Sequence, residues 1–243
     1  MRIPRIYLPL PLASGNSVEL DARALRHVVQ VLRLKTGHPL ILFNGEGGEY
    51  EAVLAQVEKR HARAKITAFR NANPESELES HLAVGISKGE RMDIAIQKAV
   101  ELGVTRITPL YTEHCVVQLN PQRQQKRMDH WQAIIISACE QCGRNTLPVI
   151  HEPLPFPEWI KLHTAELKLI LDPLAESTLA ALPSTAGNVL LAVGPEGGFS
   201  QSEIAHAKNA GFLNISLGKR ILRSETAVIS ALAAVQILWG DLG

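Results

Sequence analysis

Two short segments combine glycine with charged or hydroxyl side chains directly after a predicted buried strand. The first, Gly194–Phe199, follows the apolar run at 189–193 and precedes Ser200–Glu203, which has the pattern of a capping box. Its three glycines let backbone approach a ligand closely, and the next helix offers free N–H groups. A tight strand-to-helix turn that needs positive φ is the alternative explanation. The spacing is neither Gly-x-Gly-x-x-Gly nor a P-loop, which disfavours those two kinds of nucleotide phosphate site.

The second segment, residues 218–227, leads from a predicted strand into a nearly all-apolar helix at 227–239. Its polar side chains are Lys219, Arg220, Arg223, Ser224, Glu225 and Thr226. Polar groups at such a position are costly unless they pair with one another or with a ligand, and a capping pair of Arg223 with Glu225 would also satisfy them. A helix that is apolar on almost every face must be buried in a core or against a second subunit.

A third cluster, Cys139–Arg144, contains Cys-x-x-Cys at the end of a predicted helix. Zinc would need a second pair of ligands, and a thioredoxin-like motif should begin a helix rather than end one. The nine histidines lie scattered without a metal-binding spacing. We therefore expect no metal, and we interpret Cys139 as a packing residue, with Glu140, Gln141 and Arg144 facing a polar site.

These segments belong to a region in which strands and helices alternate. The predicted strands are at 82–87, 104–111, 167–171, 188–193 and 214–217, and the predicted helices are at 92–102, 121–139, 202–210 and 226–239, with a short helix around Trp159. Such alternation is typical of an α/β fold with a mostly parallel sheet covered on both faces. Ligands bind such sheets beyond the carboxyl ends of the strands, where the two glycine-containing segments lie.

The first third of the chain differs from the rest in its predicted secondary structure and in its net charge. Residues 1–72 carry 11 Lys or Arg and 6 Asp or Glu, a net charge of +5, whereas the remainder carries 14 and 18, a net charge of −4. Short β-rich runs at 40–43, 50–57 and 62–69 predict a small β-barrel or sandwich, interrupted by one helix capped by Asp21. The polar stretch 74–80 is the predicted linker. A basic module suits contact with a polyanion, although a solvated surface has the same composition.

Composition excludes several other classes. With 243 residues, 46% hydrophobic and 20% charged, the chain is an ordinary globular protein, not a disordered, collagenous or coiled-coil one. The apolar stretch 227–239 is too short to span a bilayer. Prolines interrupt the apolar start of the chain, so a secretory signal is not expected. Three cysteines without a signal favour a reducing cytoplasm.

Taken together and in this order, the motifs resemble one known family. They are Met1–Arg5, Arg33, the Gln-Lys-x-x-Glu-Leu-Gly of 97–103, the Cys-Glu-Gln-x-Gly-Arg of 139–144, Gly194–Gly198, Leu217–Thr226 and the final Gly-Asp-Leu of 240–242. Each motif alone is weak, but the ordered set is specific, and it closely resembles the RsmE family of 16S rRNA uridine N3-methyltransferases in the SPOUT superfamily. The resemblance implies an N-terminal PUA-like RNA-binding β-barrel at 1–73, and a C-terminal SPOUT α/β domain with a deep trefoil knot at 74–243. It also implies a homodimer that uses S-adenosylmethionine and acts on 16S rRNA or the small ribosomal subunit.

The resemblance also assigns roles to residues. The expected S-adenosylmethionine pocket comprises Leu171, Pro173, Gly194, Glu196, Gly197, Gly198, Leu217, Gly218, Ile221, Leu222, Arg223 and Thr226. Asp172 stands where the family pattern has His, which puts the local polarity of that pocket in doubt. The expected RNA contacts are Arg2, Arg5 and Arg33.

Methylation at N3 of uridine requires an unpaired base that loses its N3 proton. Glu196 or Glu225 is a candidate general base, and Arg223 or Arg144 is a candidate stabiliser of a uracil anion. The sequence does not decide between these routes. A SPOUT-type enzyme acting on tRNA or on a 2′-hydroxyl, a non-catalytic RNA-binding protein and a nucleotide-dependent α/β enzyme are the alternatives.

Overall fold

The computed structural model describes residues 3–117, 120–182 and 187–243. The chain forms two compact units. The first comprises Met1–Glu75 and Cys139–Leu147, and the second comprises Ser76–Ala138 and Pro148–Gly243. Arg2, one of the predicted RNA contacts, lies outside the described residues.

The first unit is built on a five-stranded mixed sheet in the order β1-β3-β4-β5-β2. Its strands are β1 (Arg5–Tyr7), β2 (Ser17–Glu19), β3 (Pro39–Phe43), β4 (Glu49–Val57) and β5 (Ala62–Arg70). Strands β1 and β3 are parallel, and the other neighbours are antiparallel. Among the described residues the pairing ends at β1 and β2, so strand pairing does not close the predicted barrel.

One helical segment interrupts this sheet. The Asp21 carboxylate accepts a hydrogen bond from the Ala24 N–H and caps α1 (Ala22–Leu25), as the sequence predicts. The segment then widens into a π-helix at Arg26–Val31 instead of continuing as an α-helix. Ala24 and Val28 are buried within the core of the unit.

The second unit is built on a seven-stranded parallel sheet in the order β12-β10-β11-β6-β7-β8, with β9 also paired to β7. Its strands are β6 (Glu79–Gly85), β7 (Arg106–Tyr111), β8 (Val149–Ile150), β9 (Leu154–Pro155), β10 (Leu167–Leu171), β11 (Asn188–Val193) and β12 (Leu213–Ile215). Register pairs Leu191 with Leu82 and Leu169 with Leu213. The predicted parallel α/β sheet is confirmed, although β6 begins at Glu79, so the predicted linker ends two residues earlier than expected.

Helices flank these strands in the sequence. They are α2 (Glu90–Glu101), α3 (Pro121–Cys142), α4 (Phe156–Leu162), a 3₁₀ turn (Leu179–Ala181), α5 (Gln201–Asn209) and α6 (Ser224–Trp239). Helix α3 contributes its last residues to the first unit. Over the described residues, no helix is both long enough and apolar enough to cross a bilayer.

Candidate functional site

The carboxyl ends of β10 and β12 frame a cavity in the second unit. Its lining residues are Leu171, Asp172, Pro173, Ile215, Ser216, Leu217, Gly218, Arg220, Leu222 and Ala227. Most of the exposed lining is apolar, with Asp172, Ser216 and Arg220 adding polar groups. A mostly apolar cavity with a few polar groups at this edge of a parallel sheet is where a small ligand is expected.

The structure brings five of the predicted pocket residues together in this cavity: Leu171, Pro173, Leu217, Gly218 and Leu222. Ile221 is 80% exposed and is not among the lining residues, although the sequence placed it beside Leu222 as an apolar wall. Neighbouring side chains in this loop therefore point to different surroundings. The roles of Arg223 and Thr226, which also lie between lining residues Leu222 and Ala227 in the chain, stay predictions.

Asp172, the departure from the family pattern, has a local structural role. Its carboxylate accepts hydrogen bonds from the Leu174 N–H at 2.9 Å and from the Asn214 side-chain amide at 3.0 Å. The Asp172 N–H donates to the Ile215 carbonyl. Asp172 therefore fastens the loop after β10 to strand β12, and it adds negative charge to the cavity lining.

The Gly194–Gly198 segment is a tight turn between β11 and α5. A Cβ at Gly194 would lie 2.9 Å from the Gly198 carbonyl carbon, so close backbone packing within the turn requires this glycine. Gly198 has φ of +68°, and its N–H donates to the Pro195 carbonyl. The turn ends at the predicted capping box, in which Ser200 and Glu203 bond each other's backbone N–H groups. Turn geometry thus accounts for Gly194 and Gly198, and their contact with a ligand stays a prediction.

Glu196 in the same turn is fixed by two hydrogen bonds. Its carboxylate accepts from the Lys88 N–H and from the Arg91 guanidinium, both at 3.0 Å. Partial burial raises the pKa of Glu196, but its own N–H, the Lys88 N–H and Arg91 outweigh burial and lower the pKa below its usual value. Glu196 is therefore ionised at neutral pH and is a weaker base than an ordinary carboxylate.

Sequence reasoning missed the neighbours that hold this turn. The His114 Nδ1 donates to the Gly197 carbonyl at 2.9 Å, and a Cβ at Gly197 would lie 2.8 Å from the His114 Cβ. At Gly85, the last residue of β6, a Cβ would lie 2.4 Å from Pro195. Neither residue stands in a motif, so only the folded structure, which brings Gly85 of β6 and His114 of the loop after β7 against this turn, identifies them.

The start of α6 is tied to the end of β6 by buried hydroxyl groups. Ser87 donates to Ser224 at 3.2 Å, and Ser224 donates to the half-buried Glu225 carboxylate at 3.3 Å. Arg223 is the N-cap residue in an extended conformation, without a side-chain cap hydrogen bond, and it is exposed. The predicted Arg223–Glu225 capping pair is not among the ion pairs of the described residues.

Two of the predicted arginines lie inside the first unit. The Arg144 side chain is 7% exposed, and its Nε donates to Glu75 at 2.7 Å. The Arg5 side chain is 9% exposed and pairs with Glu49 and the Asn145 amide oxygen. Both arginines hold the first unit together, and Arg144 belongs to that unit rather than to the residues of the cavity.

The Cys139–Arg144 cluster is mainly structural. Cys139 is fully buried, which confirms its packing role, and burial raises the pKa of its thiol to about 12. Glu140 accepts hydrogen bonds from the Tyr7 N–H and from Arg23, both at 2.9 Å. Across the described ranges, no set of three or more His, Cys, Asp or Glu side chains is placed to hold a metal ion.

Comparison with known proteins agrees with this architecture. The model of an RNA methyltransferase domain matches residues 74–236, and that of an RNA methyltransferase PUA domain matches residues 20–67. A ribosomal RNA small subunit methyltransferase E from Buchnera aphidicola is 40% identical over 99% of this chain and 98% of its own length. The protein of that name from Bacillus subtilis is 27% identical over 91% of this chain and 92% of its own length.

Solved structures extend the likeness to three dimensions. The Neisseria gonorrhoeae ribosomal RNA small subunit methyltransferase E bound to S-adenosylmethionine has a TM-score of 0.93 and 42% identity, with all of both chains covered. A Legionella pneumophila protein solved with S-adenosylmethionine has a TM-score of 0.97 and 44% identity, again over all of both chains. This chain belongs to the ribosomal RNA small subunit methyltransferase E family of RNA methyltransferases, as its ordered motifs indicate.

Proposed function

We propose that this protein methylates N3 of a specific uridine in 16S rRNA of the small ribosomal subunit, with S-adenosylmethionine as methyl donor. Within the structure, one observation carries the proposal. The mostly apolar cavity at the ends of β10 and β12 is continuous in sequence with Arg223 and Glu225, which lie between its lining residues Leu222 and Ala227. Similar proteins solved with S-adenosylmethionine support the choice of donor.

The cavity residues suit this cofactor. Leu171, Leu217 and Leu222 offer apolar faces to an adenine ring, and Gly218 adds backbone without a side chain. Asp172 and Ser216 add polar groups that suit a ribose or an amino group. S-adenosylmethionine supplies an electrophilic methyl group carried on a sulfonium.

The protein must then make N3 of the uracil nucleophilic. Loss of the N3 proton leaves negative charge on the uracil ring, which the exposed Arg223 guanidinium would stabilise. Glu225, held by Ser224 at the start of α6, would accept the proton. Glu196 is disfavoured as the base because hydrogen bonds from Lys88 and Arg91 lower its pKa. Arg144, buried against Glu75 in the first unit, is disfavoured as the stabiliser of the anion.

The first unit would position the RNA. Arg33 is exposed and suits contact with phosphate, whereas Arg5 is already paired with Glu49. We therefore propose Arg33 as an RNA contact and assign Arg5 a structural role, while Arg2, which lies outside the described residues, stays a predicted contact.

The proposal includes a homodimer, the trefoil knot that the resemblance implies, and a cytoplasmic location. A shallow surface on the second unit supports the dimer. It is lined by Leu179, Ala234, Ile237 and Leu238, with Ile237 56% and Leu238 45% exposed, and it shares Ser216–Gly218 with the cofactor cavity. Exposed apolar surface of this kind suits pairing with a second copy.

A labelled-methyl assay tests the proposal. The purified protein is incubated with S-adenosylmethionine carrying a labelled methyl group and with small subunits, naked 16S rRNA or tRNA, and the RNA is digested to nucleosides. We expect label in 3-methyluridine from small-subunit RNA. Label in tRNA alone or on a 2′-hydroxyl would reject the substrate, and absence of any transfer despite tight RNA binding would favour a non-catalytic RNA-binding protein.

Substitution of Arg223 tests the chemistry. Because Arg223 is proposed to stabilise charge that develops only during the reaction, Arg223→Ala should lower kcat by about 100-fold or more. RNA affinity should stay near that of the native protein. An Arg223→Ala protein with native kcat would contradict this role.

A further inference from the structure

The π-helix of the first unit ends in the segment Val31–Lys35, here called the tip, which is exposed except at Leu34, a residue that packs against the core. Val31 is 63% exposed and Leu32 is 37% exposed, so two adjacent apolar side chains face solvent. They follow Val28, which is fully buried in the core of this unit. The segment therefore passes from the core to the surface and carries apolar side chains outward.

The backbone of the tip is irregular. The Leu32 N–H donates to the His27 carbonyl, five residues earlier, and the Leu34 N–H donates to the Val28 carbonyl. Arg33 has φ of +52°, and within the described part of the chain it is the one residue other than glycine with positive φ. A left-handed conformation is unfavourable for a side chain with a Cβ, and such outliers gather at functional sites.

Exposed cations precede and follow the apolar pair in the sequence. The side chains of Arg26, Arg33 and Lys35 are exposed and have no ion-pair partner among residues 3–117, 120–182 and 187–243. Arg5 and Arg23, by contrast, pair with Glu49 and Glu140 of the same unit. The structure thus separates arginines that hold the unit together from cations that are available to a partner.

We propose that the tip binds an unpaired stretch of RNA, with Val31 and Leu32 packed against exposed bases and the flanking Arg26, Arg33 and Lys35 on phosphates. Apolar side chains contact or wedge between unstacked bases, and cations hold the backbone. The choice of RNA rests on these unpaired cations and on the net charge of +5 over residues 1–72.

This inference rests on the proposed function and adds to it. The N3 atom of uridine is hidden in a base pair, so the enzyme needs unpaired RNA near its target. Phosphate contacts do not read the bases directly, whereas apolar side chains pack against bases only where these are unstacked. The tip would therefore be the part of the protein that selects unpaired RNA.

The test compares a polar tip with a neutralised tip. The Val31→Thr, Leu32→Asn double variant removes apolar surface and keeps every charge, whereas Arg33→Gln removes one charge and keeps the apolar pair. Leu213→Asn, at a leucine 45% exposed on β12 of the other unit, is the matched control. Affinity is measured over a range of salt concentrations for a 16S rRNA hairpin with an unpaired loop and for a fully paired RNA duplex of equal length.

We expect the double variant to bind the hairpin about tenfold more weakly, with an unchanged salt slope and unchanged duplex affinity. Arg33→Gln should weaken binding to both RNAs and reduce the salt slope by about 0.7–0.9, the value of one phosphate contact. Leu213→Asn should bind both RNAs like the native protein.

Native hairpin affinity in a folded double variant would overturn the proposal. The proposal would also be overturned if the double variant bound naked RNA with native affinity but bound whole small subunits more weakly, because that result would assign the tip to a protein partner. Failure of the proposed function is a separate result: the native protein would bind the hairpin but would transfer no methyl group to any RNA.

Discussion

At the scale of single residues, hydrogen bonding changes which carboxylate suits proton transfer. Sequence placed Glu196 and Glu225 on equal terms, because both stand in loops that follow strands. The structure gives Glu196 two donors, Lys88 and Arg91, which lower its pKa although partial burial opposes them. Glu196 therefore serves best as the residue that holds the 194–198 turn against the loop after β6.

Replacement of Glu196 by glutamine separates positioning from base catalysis. Gln keeps an oxygen that can accept from the Lys88 N–H, and it loses only a partly exposed ion pair with Arg91, which is worth about 1 kcal/mol or less. We therefore expect Glu196→Gln to lower kcat by less than about tenfold and to leave the acid limb of the kcat–pH profile in place. Loss of about 100-fold or more, together with loss of that limb, would instead identify Glu196 as the general base.

Arg33 shows a second effect at this scale, namely strain at an exposed position. Its positive φ costs about 1 kcal/mol for any residue with a Cβ, and glycine relieves that cost. Arg33→Gly and Arg33→Ala remove the same charge, so comparison of the two variants isolates the backbone. We expect urea unfolding to give Arg33→Gly the higher free energy of unfolding, and both variants should lose RNA affinity. Equal stability, or a more stable alanine variant, would contradict the strain at Arg33.

At the scale of secondary-structure elements, local patterns predicted most of the second unit. Strand β10 (Leu167–Leu171) and strand β11 (Asn188–Val193) match their predictions, because buried parallel strands appear as continuous apolar runs. The capping box at Ser200 and Glu203 forms as predicted. Its chemistry lies within four residues, so sequence alone was sufficient.

Two features of the first unit could not be predicted in the same way. The apolar spacing of 25–32 suits an ordinary α-helix, but the chain adopts a π-helix at Arg26–Val31. The sequence of 139–147 suggests the end of a helix followed by a loop, yet these residues belong to the first unit. There the Glu140 carboxylate accepts a hydrogen bond from the Tyr7 N–H. Tyr7 and Glu140 are separated by 133 positions in the chain, and no local pattern carries that information.

Three histidines of the second unit, His81, His151 and His163, form a cluster that no sequence motif predicted. His81 is buried on β6, and its ring centroid lies 4.8 Å from that of His163 and 5.5 Å from that of His151. Burial is the largest cause of a pKa of about 3 for His81, and charge on His163, His151 and Arg106 contributes to the same lowering. Burial also lowers the pKa values of His151 and His163.

This cluster should make the second unit sensitive to acid. Because His81 has a lower pKa in the folded state than the ordinary 6.5, the unfolded state takes up its proton first as the pH falls. The free energy of unfolding should therefore decrease from about pH 6.5 towards pH 3, by up to about 1.4 kcal/mol per pH unit for His81 alone. Above about pH 6.5 this contribution is fully present.

Urea unfolding at a series of pH values measures the effect. The slope of the free energy of unfolding against pH below about pH 6.5 reports how many protons are taken up on unfolding, and His81→Gln should reduce that number by about one. The matched control is His206→Gln, at an exposed histidine of the same unit. A slope in His81→Gln equal to that of the native protein would show that His81 is not the group responsible.

At the scale of the whole molecule, helix α6 leaves apolar side chains exposed that a second copy of the chain would cover. Sequence predicted burial on almost every face, and the single chain buries Val228, Ala231, Leu232 and Val235 but leaves Ile237 and Leu238 exposed. Gln236 is fully buried in this apolar helix. Its amide oxygen accepts a hydrogen bond from Ser76 and its amide nitrogen donates to the Leu102 carbonyl, so the buried polar group is satisfied. The remaining exposed apolar surface is the part that a partner copy would cover.

Charge placed on that surface tests the dimer. We expect the native protein to sediment as a dimer at micromolar concentration and Ile237→Asp, Leu238→Asp to sediment as a folded monomer, because buried unpaired carboxylates oppose association. Leu213→Asp, at another exposed leucine of the second unit, should remain dimeric. A native protein that is already monomeric would contradict the proposal.

The central claim is that this chain methylates N3 of one uridine in 16S rRNA. Mass mapping of 16S rRNA from cells that lack the protein tests it most directly, with cells that regain either the native protein or the Arg223→Ala variant as controls. We predict that one 3-methyluridine disappears from 16S rRNA, returns with the native protein and stays absent with the variant. An unchanged 16S rRNA map, or loss of a modification in tRNA instead, would contradict the account.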